Sequence, residues 1–485
     1  MPARLCIAQR RRFRIAANRQ SQPNADAAKD PDDARDASAD LRRRIRLAST
    51  RLNSSAIPRY LRSVHWAVLL CRWMSVLGAC LTSLFAAGEP MPVVKAQKRV
   101  AVLTTVYRHN SHADVIASRL VLTDMLDGTG KDSPLQLTSL YVEQRPPNDI
   151  SRLLAASHRF RIGTNIADAL TLGTGTLAVD GVLLIAEHGD YPRSATGNTQ
   201  YPKRRFWDEM LTVFRKSGRV VPVFVDKHLA DNWEDARYIH DTARELGIPL
   251  MAGSSVPGSW RFPPVDVARG EDLQEVVVLT YGSTDHYGFH ALECLQAVVE
   301  QRRGGETGIR AVESLRGDGV WRSIRQAKVA PDLLAAALRT LGDDSSSADM
   351  LPAKVPNPIL WRIEYSDGLK ASVLELNGAI QGWAGAWRPK TGTNVMATRF
   401  WTQEARPAAH FTLLLNGIER MMLDGKPTWR ADRTLMTSGL LDALLQSGVP
   451  GGRRLETPWL NWSYSSSWRW KEPPPPPPSR PWGEQ

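Results

Sequence analysis

The chain has 485 residues, of which 42% are hydrophobic and 23% are charged, and its formal net charge is +12. This composition excludes a fully disordered chain, a collagen-like repeat and a protein with several membrane spans. The positive charge is concentrated in residues 1–90, which hold 16 Lys and Arg against 7 Asp and Glu. The remaining residues are nearly neutral, at 46 against 43, so we expect no nucleic-acid partner for the folded body.

Residues 1–97 are predicted to be a disordered basic extension that contains a signal-like apolar segment at residues 64–88. An uncharged run of 15 residues at 73–87 follows several arginines and precedes small residues, as in secretory signals. Its position so far into the chain leaves two alternatives open. Either the segment is a genuine signal and the protein is periplasmic or secreted, or translation starts at Met91 and the protein is cytoplasmic.

Apolar runs alternate with helical spacings from Val100 onward. Strands are predicted at residues 100–106, 137–142, 179–186, 220–225 and 248–252, with helices at 112–126, 150–158, 167–172, 206–216 and 230–246. Strands separated by helices pair in parallel through right-handed crossovers. Residues 98–253 are therefore predicted to form an α/β, Rossmann-like, doubly wound parallel sheet that binds a nucleotide.

The pattern changes after residue 253. Strands are predicted at residues 273–281, 359–365, 371–376 and 395–401, and helices at 290–302, 411–423 and 434–446. Residues 254–460 are thus expected to form an α+β domain for substrate binding and oligomerisation, with no stable membrane span and a flexible loop at 342–348. Residues 461–485 form a tail rich in Trp and Pro, for which a solvated polyproline II segment is favoured over a ligand for a proline-binding module.

Several segments together resemble the glucose–fructose oxidoreductase, inositol dehydrogenase and rhizopine catabolism (Gfo/Idh/MocA) family. Residues 223–230 (VFVDKHLA) are similar to the family's Glu-Lys-Pro signature at a strand end, and residues 234–253 to its last Rossmann helix and strand. Residues 286–293 resemble its Asp-x-x-x-His-x-x-Asp helix. Residues 363–368 and 451–455 resemble its hairpin and its closing segment, so the likeness spans about residues 98–458.

The resemblance implies an NAD- or NADP-dependent oxidoreductase of bacterial carbohydrate metabolism that acts on a hydroxyl of a sugar or polyol. It implies that the second domain carries a large, mostly antiparallel open sheet through which copies of the chain form a homo-oligomer. It also implies that a lysine and a histidine work at the reacting hydroxyl, and these match Lys227 and His290.

Lys227 is the first catalytic candidate. A lysine at the carboxyl end of a central strand points into the ligand crevice, and burial moves its pKa towards neutrality, which suits proton transfer. The alternative is a structural lysine that forms a salt bridge with Asp226 or with another carboxylate at a strand end.

His290 is the second candidate, with His286 on the same helical face and Asp285 beside it. The family's aspartate position is occupied by His286, with Asp285 one residue earlier, which is a departure from the pattern. A His-x-x-x-His pair with a nearby acid can also bind a divalent metal ion. For either histidine alone, a hydrogen-bonded structural role is the ordinary alternative.

The first turn of the Rossmann-like domain lacks the glycines of a dinucleotide fingerprint. A helix that starts near Ser111 would still present amide groups to a phosphate, and Arg108 would add a positive charge. Glu143 ends the second predicted strand, where an acid holds a ribose hydroxyl. The residues predicted to contact the cofactor are Thr105, Tyr107, Arg108, Asn110, Ser111, His112, Glu143, Glu187 and His188.

Three functions remain open on these residues. The first is the dehydrogenase described above, and the second is a carbohydrate-binding protein that kept the fold and lost the dinucleotide. The third is a metal-dependent lyase or isomerase that uses His286 and His290. The polar insertion at residues 192–205 is either a lid over the site or a plain surface excursion.

Overall fold

The computed structural model describes residues 97–342, 348–391, 394–449 and 452–480. The predicted basic extension and its signal-like segment lie outside these residues, as does most of the loop predicted at 342–348. Among the helices in the described ranges, none has the length and apolarity needed to cross a bilayer.

The first sheet has six strands, all parallel to their neighbours, in the order β3-β2-β1-β4-β5-β6. Its strands are β1 (Lys98–Thr104), β2 (Leu135–Val142), β3 (Arg161–Ile162), β4 (Gly181–Ile185), β5 (Val223–Asp226) and β6 (Leu250–Gly253). This is the strand order of a doubly wound dinucleotide-binding domain, with its reversal between β1 and β4. The predicted Rossmann-like sheet is confirmed.

Helices cover both faces of this sheet because its strands are apolar on both sides. They are α1 (His112–Ala117), α2 (Arg119–Leu122), α3 (Ser151–His158), α4 (Ile166–Thr171), α5 (Lys203–Ser217) and α6 (Trp233–Glu245). Residues of α4, α5 and α6 pack on one face, and residues of α1 and α3 pack on the other.

Three details differ from the predicted elements. Strand β3 was not predicted, because two residues are too few to show a periodicity. The single helix predicted at 112–126 is divided into α1 and α2 by Ser118. Strand β5 begins only after Pro222, since proline has no N–H to donate to a neighbouring strand.

The second sheet has eight strands in the order β14-β9-β10-β11-β8-β12-β13-β7, and only the β8–β11 pair is parallel. The strands are β7 (Trp260–Phe262), β8 (Leu273–Thr280), β9 (Ile309–Arg316), β10 (Ile359–Tyr365), β11 (Lys370–Glu375), β12 (Trp383–Pro389), β13 (Met396–Trp401) and β14 (Leu455–Glu456). The expected large, mostly antiparallel sheet is confirmed.

Alternate residues of β8 point to the two faces of this sheet. Val276 and Val278 pack with α7 (His286–Val299) and α12 (Asp432–Ser447). Val277 and Leu279 pack on the opposite face, with apolar residues of three helices. These are α8 (Asp318–Arg325), α9 (Pro331–Thr340) and α10 (Leu351–Lys354). The homo-oligomer expected from the family resemblance stays a prediction.

Helix α11 (His410–Asp424) returns from the second half of the chain to the first sheet. Its apolar residues Leu414, Ile418 and Met421 belong to the same buried cluster as Val100 and Val102 of β1. One face of the Rossmann-like sheet is therefore completed by a segment that follows the second sheet in sequence.

The described part of the C-terminal tail lies against the folded body. The indole N–H of Trp470 donates to the carbonyl of Ser259 at 2.8 Å, and that of Trp260 donates to the carbonyl of Pro474 at 2.7 Å. The side chain of Gln403 donates to the carbonyl of Pro477. These three hydrogen bonds hold the tail against the body, while Pro474, Pro475 and Pro478 stay exposed. The predicted solvation of the proline run agrees with this exposure, but the tail is not detached from the body.

Gly253, which ends β6, is expected to tolerate no side chain. It has φ +119°, and a Cβ atom there would lie 2.6 Å from Oγ1 of Thr434 and 2.7 Å from Oε2 of Glu293. Gly270 also has a positive φ, of +85°, but a Cβ atom there would meet open space. We expect Gly253→Ala to cost about 1–3 kcal/mol more than Gly270→Ala in urea denaturation. Equal costs would show that backbone strain alone matters at Gly253.

Candidate active site

Polar side chains gather at the carboxyl edge of the first sheet, near the reversal of strand order. Glu187 follows β4, Lys227 follows β5 and Ser254 follows β6. The start of α7 meets them from the second sheet, through His286 and His290. In open α/β sheets ligands bind in the crevice beyond this edge, so this cluster is the candidate active site.

Lys227 and Glu187 form the charged centre of the cluster. Nζ of Lys227 lies 2.6 Å from Oε1 of Glu187, and both side chains are only 2% exposed. Burial raises the pKa of Glu187, but the charges of Lys227, His286 and His112 outweigh burial and hold that pKa well below its ordinary value. The second carboxylate oxygen of Glu187 has no hydrogen-bond partner among the described residues. The lysine is thus paired with a strand-end carboxylate other than Asp226.

The first turn of α7 brings His286 and Asp285 to this pair. Nε2 of His286 lies 3.0 Å from the hydroxyl of Tyr201 and 3.8 Å from Oε1 of Glu187, and its Nδ1 lies 2.9 Å from Oδ1 of Asp285. Burial raises the pKa of Asp285, but the bonds and charge of His286 and the hydroxyl of Thr199 hold it well below the ordinary range. His286 is 23% exposed, which makes it the accessible end of this chain of contacts.

The insertion at residues 192–205 packs onto the site. Thr199 donates to Oδ2 of Asp285 at 2.9 Å, and Tyr201 reaches His286. Asn198, Thr199 and Tyr201 are all buried. Of the two alternatives predicted for this segment, a covering loop agrees with these contacts, since a surface excursion would leave its side chains in solvent.

His290 is held one helical turn further along α7. Its Nδ1 lies 2.6 Å from the hydroxyl of Ser254, and its ring packs edge-on to Trp383 at 5.4 Å. Burial lowers the pKa of His290 well below the ordinary value, and the charge of Lys227 lowers it further. The structure therefore places His290 near Lys227, with its ring nitrogen on Ser254 and not on the lysine.

The first turn after β1 is filled by the protein's own side chains. Thr105 donates its hydroxyl to the carbonyl groups of Glu187 and His188, at 3.1 and 2.8 Å. Tyr107 is fully buried, and its hydroxyl lies 2.8 Å from that of Ser118. Both side chains are bonded within the protein, and the prediction that Thr105 and Tyr107 contact a cofactor stays a prediction.

Several backbone amides of this turn are already bonded within the protein. The amides of Arg108 and Asp114 donate to the hydroxyl of Ser111, and the amide of Asn110 donates to the carboxylate of Asp114. The amide of His112 donates to Nδ1 of His188 at 3.5 Å. A pyrophosphate cradle needs free amides at this point. The amides of Asn110 and His112 are not free in this structure, and the predicted cofactor contacts of Asn110, Ser111 and His112 stay predictions.

Glu143 is also engaged elsewhere. Arg205 donates to both of its carboxylate oxygens at 2.6 Å. This pair uses one lone pair on each oxygen and leaves acceptor capacity on the carboxylate, so the predicted ribose contact of Glu143 stays a prediction. His188, after β4, has φ +72° and is followed by Gly189 with φ +113°.

A cavity of about 540 Å³ lies at the carboxyl ends of β1, β2 and β4. It is lined by Val106, Arg108, Gln144, Arg145, Pro146, Asn148, Gly189 and Asp190. Its volume is in the range of small-molecule sites. Among the predicted cofactor residues, Arg108 lines this cavity, and Arg145 adds a second guanidinium that the sequence analysis did not single out.

Three further side chains of the cluster were not predicted to act there. Asp226 accepts from His112 at 2.6 Å, and Tyr201 reaches His286. Lys203, the first residue of α5, donates to the carbonyl groups of Asp226 and His228, and burial lowers its pKa to about 8. The peptide bond between Lys227 and His228 is cis. The sequence feature that could have indicated these residues is the high density of charged and aromatic residues around the strand ends.

The third predicted function required a metal site. Among the described residues, no group of three or more His, Cys, Asp and Glu side chains is arranged to hold a metal ion. His286 and His290 are directed to different partners, Tyr201 and Ser254.

No protein-family model matches the chain, and no curated protein matches it. Solved structures do match. GenD2 from gentamicin A biosynthesis, in complex with NAD, is 16% identical with a TM-score of 0.49, over 76% of this chain and 99% of that one. Myo-inositol dehydrogenase from Corynebacterium glutamicum is 11% identical with a TM-score of 0.45, over 74% and 99%.

A third match is myo-inositol 2-dehydrogenase from Lactobacillus plantarum, at 10% identity and a TM-score of 0.45, over 74% of this chain and 99% of that one. The chain is similar to inositol dehydrogenases and their relatives in fold. These are dehydrogenases of the kind that the sequence resembles. At these identities the likeness concerns the arrangement of the chain and not its chemistry.

Proposed function

We propose that the protein is an oxidoreductase that acts on a hydroxyl group of a sugar-like polyol with a nicotinamide dinucleotide as co-substrate. The observation that carries this proposal is the buried Glu187–Lys227 pair at the strand-order reversal. The pair leaves one carboxylate oxygen of Glu187 without a protein partner. A buried acceptor of this kind is costly unless it is satisfied, and a substrate hydroxyl is a group that satisfies it.

The cofactor fits this chain through side chains and not through a backbone cradle. The backbone amides of Arg108 and Asn110 in the first turn are already hydrogen-bonded within the protein. The side chains of Arg108 and Arg145, in contrast, both line the cavity beside this turn. Guanidinium groups bind phosphates by charge-assisted hydrogen bonds, often in bidentate form. When it is bound, a nicotinamide dinucleotide supplies the acceptor or donor of the hydride.

The chain's own residues orient the substrate and handle its proton. Lys227, fixed by Glu187, keeps the role that the family resemblance implies for it at the reacting hydroxyl. His286 lies 3.8 Å from Glu187 and is hydrogen-bonded to Tyr201, so these two residues extend from the charged pair to the accessible end of the site. The insertion at 192–205 covers Asp285 through Thr199, which shields that carboxylate from water. His290, bonded to Ser254, is a positioning residue in this proposal.

Titration calorimetry of the full chain with NAD⁺ and NADP⁺ tests the proposal. We expect the protein to bind at least one of them. Because each guanidinium contributes charge-assisted bonds, Arg108→Gln combined with Arg145→Gln should weaken that binding by about 10-fold or more. The matched control is Arg325→Gln, an exposed arginine of α8 that does not line the cavity. Failure of both dinucleotides to bind the folded wild-type protein would contradict the proposal.

A second candidate function is favoured by the occupied amides of the first turn. In this alternative the chain binds a carbohydrate and uses no dinucleotide. Titration with polyols such as myo-inositol in the absence of a dinucleotide separates the two functions. Polyol binding by a protein that binds neither NAD⁺ nor NADP⁺ would establish the second function in place of the first.

A further inference from the structure

We propose that His112, oriented by Asp226, is the residue that accepts the substrate's proton at this edge of the sheet. The inference deepens the proposed function, on which it rests, by assigning the proton to a histidine at the start of α1. Neither the family resemblance nor the sequence pattern pointed to this pair, because the two residues are 114 positions apart.

The geometry is that of an oriented base. Nδ1 of His112 lies 2.6 Å from Oδ2 of Asp226, whose side chain is 2% exposed. A carboxylate oxygen accepts, so Nδ1 carries the proton and Nε2 has a free lone pair. Within the described part of the chain, Nε2 of His112 has no hydrogen-bond partner. It does not belong to the fully buried polar atoms that lack a partner, so it is not sealed from solvent. The ring is 14% exposed.

The ring of His112 is also fixed in place by its neighbours. The His188 ring packs edge-on at 5.0 Å and that of Phe411 at 5.2 Å, and the backbone amide of His112 donates to His188. An imidazole that is held by a carboxylate on one nitrogen and by packing on two sides presents its other nitrogen in one direction. This is the arrangement that general bases of nucleophile–base–acid triads share.

The other bases of the cluster lack this combination of a carboxylate partner and an open nitrogen. Lys227 is locked to Glu187, and Lys203 donates to two carbonyl groups. Both nitrogens of His286 have partners within 3.1 Å. His228 and His290 are bonded to the carbonyl of Asp285 and to Ser254. The described histidines of the cluster are His112, His188, His228, His286 and His290. Among these five, His112 is the one that has a carboxylate on one nitrogen and an open second nitrogen.

Charged and titratable groups face His112 from every element around it. They are Asp226 at the end of β5, Glu187 and His188 after β4, His290 on α7, Glu404 before α11 and His410 on α11. In the proton transfer, the hydroxyl proton moves to Nε2 while the Nδ1 proton stays in its bond to Asp226, and the imidazolium that forms is balanced by that carboxylate.

Carbethoxylation of the full chain with diethyl pyrocarbonate at pH 8, mapped by mass spectrometry, tests the base directly. This reagent acylates an unprotonated, accessible imidazole nitrogen. We expect His112 to be modified, and we expect Asp226→Asn to slow its modification by about 5-fold or more, because the carboxylate holds the proton on Nδ1 and leaves Nε2 as the reacting nitrogen. The exposed His158 at the end of α3 is the internal control and should keep its rate. Circular dichroism checks that the variant is folded, and Asp226→Glu should restore part of the rate.

Turnover and binding separate this proposal from the proposed function. His112→Gln should lower kcat by about 100-fold or more with any polyol that the wild type oxidises, with dinucleotide affinity unchanged. Full turnover in His112→Gln overturns the assignment. If the wild type binds no dinucleotide and shows no turnover, the proposed function fails. The modification rates then test His112 separately. An unreactive His112, or a rate that Asp226→Asn leaves unchanged, overturns its assignment as a base.

Discussion

Lys227→Met is expected to destabilise the protein by about 3–5 kcal/mol at pH 7 and to abolish most of its turnover. The substitution leaves Glu187 as an uncompensated charge in a site where its side chain is 2% exposed. Breaking one half of a buried pair is more costly than replacing both halves, since the remaining charge has lost its solvent and its partner. In the proposed function, turnover falls because the substrate hydroxyl loses the lysine that orients it.

The stability difference between Lys227→Met and the wild type is expected to depend on pH. The pKa of Glu187 lies well below its ordinary value in the folded wild type, so the pair stabilises the fold above the unfolded pKa and is lost as pH falls through the folded pKa. Without Lys227 the effect of burial prevails and the carboxyl pKa rises. The deficit of the variant against the wild type should therefore shrink between pH 7 and pH 5, as Glu187 takes up a proton.

Urea denaturation at pH 7 and pH 5 measures both parts of this prediction. The double variant Glu187→Gln with Lys227→Met should recover much of the lost stability, because no buried charge is left unpaired. Lys216→Met, at an exposed position in the last turn of α5, is the matched control and should cost little. A deficit that is equal at the two pH values, or a double variant no better than the single one, would show that Glu187 is not the cause.

The fold was predictable wherever a local pattern was long enough to be seen. Strands β1 and β4 contain continuous apolar runs, and β2 carries regularly placed apolar residues, so their existence and their parallel pairing followed from composition and order. Strand β3 has two residues, and the pairing of β8 with β11 joins distant segments. Neither leaves a periodic trace in the sequence, and both depend on tertiary packing.

The candidate site was predictable in its location and not in its pairings. Glu187 and Lys227 end neighbouring parallel strands, so their meeting follows from topology. Which of the nearby carboxylates takes the lysine depends on side-chain distances that sequence order does not contain. The same holds for His112 and Asp226. The missing glycines of the first turn were visible in the sequence, but the occupation of its amides by Ser111, Asp114 and His188 was not.

The second large effect concerns a buried salt bridge between Glu300, which follows α7, and Arg433 of α12. Nε of Arg433 lies 3.1 Å from Oε2 of Glu300, and their side chains are 5% and 0% exposed. Two residues of the C-terminal tail complete this site: the hydroxyl of Tyr464 donates to Glu300 at 2.9 Å, and the Trp468 ring lies 4.4 Å from the guanidinium of Arg433. The tail therefore covers a charged pair that would otherwise meet solvent.

Arg433→Met is expected to cost about 3–5 kcal/mol in urea denaturation, because Glu300 would remain charged and buried. Glu300→Leu combined with Arg433→Met should cost less than the single change. Tyr464→Phe should cost about 1.5–3 kcal/mol, the contribution of one hydrogen bond to a charged group. If the tail were only a solvated appendage, Tyr464→Phe would be neutral while Arg433→Met kept its full effect. A measurable loss in both variants instead makes residues 461–480 part of the cooperative fold, which joins α7, α12 and the tail around one carboxylate.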